Sequence, residues 1–194
     1  MTKQEVYNNI RYNENLVSQY QNAIYKLRNN INSLNTPINQ LNSQISQLHK
    51  RMNDKKTQIS ELEQLKKKYA ALQNNFASVQ SQRVGRFTRN FSQGLKVRFI
   101  KSYIAGMKDL LSGNEYRRTY NGLTNAIDTI TKKINAIQHE VESLQKEINS
   151  CQRSLDQKQG SINSYRAQMD KTNQSLAYRR QRIVYWKNQL KYAT

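Results

Sequence analysis

Apolar residues recur every three or four positions through almost all of this 194-residue chain, in two tracks that fit long paired helices and little else. The first track starts at Val6 and steps through Ile10, Asn13, Val17, Tyr20 and Ile24 to Met52, Lys55, Ile59 and Leu62. Fifteen of its 17 positions are apolar in a chain that is 36% apolar, so chance does not account for it. A step of three then reaches Leu65, and the shifted track reads Tyr69, Leu72, Phe76 and Val79, a deletion that would overwind a coiled coil locally. The second track runs from Tyr116 to Leu190 without a change of phase, and 19 of its 22 positions are apolar; Lys158, Thr172 and Arg179 are the exceptions. Each arm would be roughly 110 Å long if straight. Neither shows a second apolar face, so each needs a partner helix rather than a globular core.

The nearest partner for each arm is the other. A short connection makes the pair antiparallel, and the register that leaves no overhang sets Val6 against Leu190, Ile10 against Trp186, Met52 against Leu144 and Leu62 against Ile134. In that register the only proline, Pro37, lies at the level of Gly160, the only glycine outside the central region. Proline removes an interior helical hydrogen bond and glycine weakens its helix, so a hinge through both is expected there. The alternative is that Thr36-Pro37 starts a new helix as N-cap and first residue, folding the chain into a shorter four-helix bundle. Ile or Val at a with Leu at d is also the preference of parallel dimers, which keeps a homodimer open. The expected fold is therefore all-α: a long antiparallel coiled-coil helical hairpin with a small helical tip, kinked near Pro37 and Gly160. Its arms span 1–79 and 116–194, and its tip 80–115.

Five of the six glycines fall between Gly85 and Gly122. Gly85 and Gly94 bracket a loop-like stretch, an amphipathic helix is expected from Leu95 to Leu111, and Gly113 would cap it before the return arm. This tip is basic. Arg83, Arg86, Arg89, Lys96, Arg98 and Lys101 come with no acid before Asp109, and Phe87 and Phe91 are interleaved among them. Cations that neutralise phosphates beside rings that stack on bases suit a nucleic acid, and the same pattern suits an anionic membrane surface. It equally suits docking on an acidic protein, or a tip whose phenylalanines fill its own core. The free ends carry a second cluster. Tyr7, Tyr12, Tyr25, Tyr178, Tyr185 and Tyr192 lie off the apolar track, with Arg182 among them, and Tyr and Arg recur as interface anchors.

A net charge of +19 fits acidic or anionic partners. Asn and Gln supply 44 residues, a composition that alone would suit a disordered chain; the heptads reject that reading. One cysteine excludes a disulfide framework, and Cys151 sits on the track as a small apolar residue. No apolar run spans a membrane and residues 1–11 lack the core of a cleaved leader, so the chain is expected in the cytoplasm, or exported without one. His49 and His139 fall on solvated positions out of register, and no Cys/His cluster has metal-ligand spacing. There is no phosphate-binding glycine loop and no Ser–His–Asp set. The residues point to no enzyme, cofactor or metal.

The stretch Phe99–Ile148, FIKSYIAGMKDLLSGNEYRRTYNGLTNAIDTITKKINAIQHEVESLQKEI, resembles small helical partner proteins encoded beside LXG toxins of bacterial type VII secretion systems. Those are similar in layout to the WXG hairpins, with an apolar residue and a glycine between two amphipathic helices, here Leu111-Ser112-Gly113. Leu111 stands where the signature has Trp, and the chain is about twice the length of such hairpins. The resemblance implies a non-catalytic targeting partner or chaperone that lays an amphipathic face on a helical region of a secreted toxin.

Overall fold

The computed structural model describes residues 1–92, 102–103, 105–107 and 113–193. Two long helices make up nearly all of it: α1, Lys3–Ser92, and α2, Asn114–Gln189, followed by a 3₁₀ turn at Leu190–Tyr192. They pack against each other as a helical hairpin, and the described residues contain no strand. Within the expected tip, residues 102–103 and 105–107 are helical. The rest of the stretch from 93 to 112, which holds Lys96, Arg98, Lys101 and Leu111, lies outside the described residues.

A capping box starts α1. The Thr2 hydroxyl accepts the Glu5 backbone N–H at 3.3 Å, and the Thr2 backbone N–H donates to Glu5 Oε2 at 2.8 Å. Two donors that a helix start leaves unpaired are thereby satisfied. The Gly113 carbonyl accepts the Arg117 N–H at 3.2 Å and so begins α2.

Two compact units divide the contacts, one of residues 1–49 with 146–194 and one of residues 50–145. In the first, Val6, Ile10, Leu48, Ile148, Ile162 and Leu176 are buried, and each is an expected track position. Arg179 reaches Asn13 here, and Lys187 reaches Glu14 at 3.8 Å. These two contacts reach about one turn to either side of the expected register. A slip of one heptad in either direction would carry one of them more than two turns out of range. The second unit buries Met52, Ile134, Ile137 and Leu144. Its cross-links fall one residue from expectation: Lys55 Nζ lies 2.7 Å from Glu140 Oε2, and Gln73 Nε2 donates to Thr124 Oγ1 at 2.6 Å.

One alternative left by the sequence is excluded, and two expectations are corrected. First, Pro37 lies inside α1, which is continuous through it, so the four-helix fold-back is excluded. The seam on both sides of Pro37 holds the helix together across the one lost hydrogen bond. Second, Gly85 does not open a loop, because α1 continues to Ser92. A single glycine costs a helix only about 1 kcal/mol, which its neighbours absorb.

Third, α1 does not change phase at Leu65. Lys66, Tyr69, Gln73, Phe76 and Gln80 continue the original step of four and three and are at least half-buried, while Leu65, Leu72 and Val79 are 41%, 55% and 46% exposed. The second arm never changes phase, so a deletion in the first would set an overwound helix against a regular one. Pairing Gln73 with Thr124 on the seam avoids that. The expectation of no second apolar face fails at the same place: Leu65, Leu72 and Val79 form one.

Ile134 is 6% exposed, at the middle of the second unit's seam. Replacing it by Lys removes a buried side chain and brings an ammonium to the seam, so Ile134→Lys is expected to cost about 2–4 kcal/mol. Thermal unfolding followed by circular dichroism should show a clear drop in Tm. An unchanged melt would contradict the pairing.

Candidate interaction surfaces

The first surface lies at the outer end of the first unit. Its centre is Asn13, a track position and, among the described residues, the one polar residue that is buried, at 3% exposure. Its Nδ2 donates to the Asn9 carbonyl at 2.7 Å, and its Oδ1 accepts from Arg179 Nη1 at 3.4 Å. Two of the polar exceptions on the tracks therefore meet each other. The Arg179 guanidinium also lies 5.9 Å from the Tyr12 ring centre and 5.3 Å from that of Tyr178. One turn on, Arg182 lies 4.9 Å from Tyr185 and 5.1 Å from Trp186, and those two rings meet edge to face at 5.1 Å. Each contact of this kind contributes about 0.5–1 kcal/mol at an exposed site and holds the long arginine chains in place.

Tyr7, Tyr12, Tyr25, Tyr178, Tyr185 and Tyr192 are all well exposed, as their off-track positions require. Arg179 brings Tyr12 and Tyr178 together across the two helices, and Arg182 gathers Tyr185 and Trp186 one turn on. Among the described residues, Tyr7, Tyr25 and Tyr192 have no such ring contact with either group.

The second surface is the basic end of α1. Arg83, Arg86 and Arg89 are exposed on continuous helix, and Phe87 is half-buried at the edge of their fan. A step of three residues turns the chain by about 300°, so the three guanidinium groups fan over roughly a third of the helix circumference. Phe91 is in the same helix. Gly113 is half-buried.

The third surface was not visible in the shifted track: the outward stripe of Leu65, Leu72 and Val79. It lines one flank of the second unit. Leu72, Val79 and Arg83 form one wall of an open groove with Glu115, Tyr116 and Thr119 on the other. Further along, Glu61 and Leu65 face Lys133 and Ile137 across a shallower groove. Phe76 stacks on Tyr116 at 5.1 Å and closes the floor. Continuing the first track in steps of four and three beyond Leu62 would have found this stripe, because it puts polar Gln73 inside and leaves three apolar residues with no seam to join.

Among the described residues, no three His, Cys, Asp or Glu side chains come together as a metal site would require. No helix among them is long and apolar enough to cross a membrane. No protein-family model, no curated protein and no solved structure matches the chain.

The Asn13–Arg179 contact makes a double-mutant cycle informative. Arg179→Ala leaves the buried Asn13 oxygen without its partner across the seam and should cost about 1–3 kcal/mol. Asn13→Leu with Arg179→Leu replaces both groups by apolar ones and should recover most of that loss. Urea unfolding of Asn13→Leu, Arg179→Leu and the double variant, each against the parent chain, measures the coupling. Additive effects would mean that the two residues act separately.

Proposed function

We propose that the chain is a non-catalytic coiled-coil interaction protein, a targeting partner or chaperone that binds a helical region of a toxin secreted by a bacterial type VII system. One observation carries the reading: two cation–ring groups one turn apart, Tyr12 and Tyr178 on Arg179 and Tyr185 on Arg182, whose tyrosines are exposed and not needed for the seam. Exposed tyrosines held by arginines offer a large contact area at a small loss of side-chain entropy, and this is the composition of interface hot spots. Arg179 and Arg182, the two cations held against these rings, favour a helix with an acidic face. The resemblance of Phe99–Ile148 to helical partners encoded beside LXG toxins names the class of that helix. Such a role belongs in the cytoplasm, or with export that uses no cleaved leader.

The direct test is co-expression with the helical region of an LXG toxin. A complex should co-purify at 0.15 M and at 0.5 M salt, because apolar burial in a helix–helix contact is not weakened by salt. Tyr178→Ala with Tyr185→Ala should weaken it by at least tenfold while leaving helicity unchanged. Absence of a complex with the wild-type chain at either salt would contradict the proposal.

The basic end of α1 favours a second reading, in which a nucleic acid or an anionic membrane binds at Arg83, Arg86 and Arg89. Binding to a ~20-nucleotide single strand or to anionic vesicles would then fall steeply between 50 and 200 mM salt. Arg86→Glu with Arg89→Glu should abolish it. If binding survives the double change, this end is not the anion site.

A further inference from the structure

We propose that the flank of the second unit bearing Leu65, Leu72 and Val79 is a self-association surface, on which a second copy of the chain packs with its α1 antiparallel about a twofold axis at Leu72. The stripe recurs every seven residues, which is the spacing of a coiled-coil seam, and the intrachain hairpin does not use it. Alone, it would leave three large apolar side chains about half exposed in a row.

Charge selects the occupant. On α1, Glu61 stands at one end of the stripe and Arg83 at the other, and both line the flank grooves. An antiparallel second copy centred on Leu72 sets Leu65 against Val79, and Glu61 of each copy against Arg83 of the other. The same axis crosses α2 at the level of Thr124, which stands at the height of Leu72 in the register that sets residue 73 against Leu123 and is held to that height by Gln73. It therefore sets Lys133 of each copy against Glu115 of the other, and these two also line the same flank. All four corners of the interface then carry opposite charges. A parallel second copy would set glutamate against glutamate and arginine against arginine at the same places.

Size fits as well. Between Glu115 and Lys133 the α2 side of the flank carries Thr119, Gly122 and Ala126. A Cβ added at Gly122 would meet nothing within 4 Å. The twofold sets Gly122 against Ala126 of the second copy, so the two α2 helices can approach closely while the leucines fill the α1 side. Each adjacent pair of helices in the resulting four-helix arrangement is antiparallel, as in up-and-down bundles. Among the described residues, the Glu115 carboxylate meets a cation only in a 3.9 Å contact with the exposed Arg118, which competes little. The net charge of +19 on each copy opposes association. It is screened over about 8 Å at physiological ionic strength, so the facing groups decide.

Sedimentation equilibrium of the full chain at tens of micromolar and 0.15 M salt should give twice the 22.8 kDa chain mass. Leu72→Asp should return the single-chain mass with unchanged helicity. Glu61→Arg alone should weaken association about tenfold, and adding Arg83→Glu should restore it, since the exchange recreates both pairs. In a Cys151→Ser background, Leu72→Cys should oxidise to a covalent dimer, whereas Leu65→Cys should do so only when mixed with Val79→Cys. A single-chain mass at 100 µM would overturn the proposal, including the case in which this flank serves a different protein. So would a dimer that survives Leu72→Asp, or one that cross-links through Leu65→Cys alone.

Discussion

The unbroken heptad of α2 is the constraint on which the rest depends. From Tyr116 to Leu190 it never changes phase, so whatever lies against it must keep the same phase or leave the seam. α1 keeps it through Pro37 and past Leu62, where its own apolar residues would have favoured a shift. The cost of that loyalty appears at Gln73, a polar seam residue that needs Thr124 to be satisfied, and at Leu65, Leu72 and Val79, which are turned outward. The exposed stripe is thus a consequence of the pairing, and the chain's surplus apolar surface is where pairing with α2 could not use it.

Polar seam residues give the pairing its register. Leucines and isoleucines alone tolerate a slip of one heptad, since each meets another of the same kind. Asn13 with Arg179, Lys55 with Glu140 and Gln73 with Thr124 do not, because a slipped helix would leave each without its partner. Lys55 shows how this is tolerated: its methylene stem lies along the seam while its ammonium reaches the rim, where Glu140 is about half exposed. Such a rim pair adds little stability by itself. Its effect is on which alignment is lowest in energy.

Much of the hairpin was legible because heptad spacing is a strong, long-range signal: the two arms, their antiparallel order, their register and the exposure of Tyr12, Tyr178 and Tyr185 all follow from it. The errors came where local signals were weighed against it. Gly85 is a local helix breaker whose cost of about 1 kcal/mol a long helix absorbs, and at Pro37 the paired seam carries the helix through, as the extended hairpin required. The shift at Leu65 came from counting apolar residues in one arm, although Tyr69 and Phe76 belong to both phases and so could not decide between them. Only the opposite arm decides, through Thr124. The Thr2–Glu5 capping box was present in the sequence as T-x-x-E and was passed over, because the first apolar residue of the track comes just after it. The cation–ring cluster was legible as a list of residues and not as a cluster: Arg179 links Tyr12 to Tyr178 only once the two arms are aligned.

The claim that α1 holds its phase is tested most directly by disulfide trapping across the hairpin, in a Cys151→Ser background at concentrations low enough to keep the chain monomeric. Leu123 is the seam position facing residue 73. The account predicts that Gln73→Cys with Leu123→Cys closes readily within one chain, and that Leu72→Cys with Leu123→Cys stays open. Preferential closure of the Leu72→Cys pair would mean that Leu72 faces inward, and would contradict both the unbroken phase and the outward stripe that follows from it.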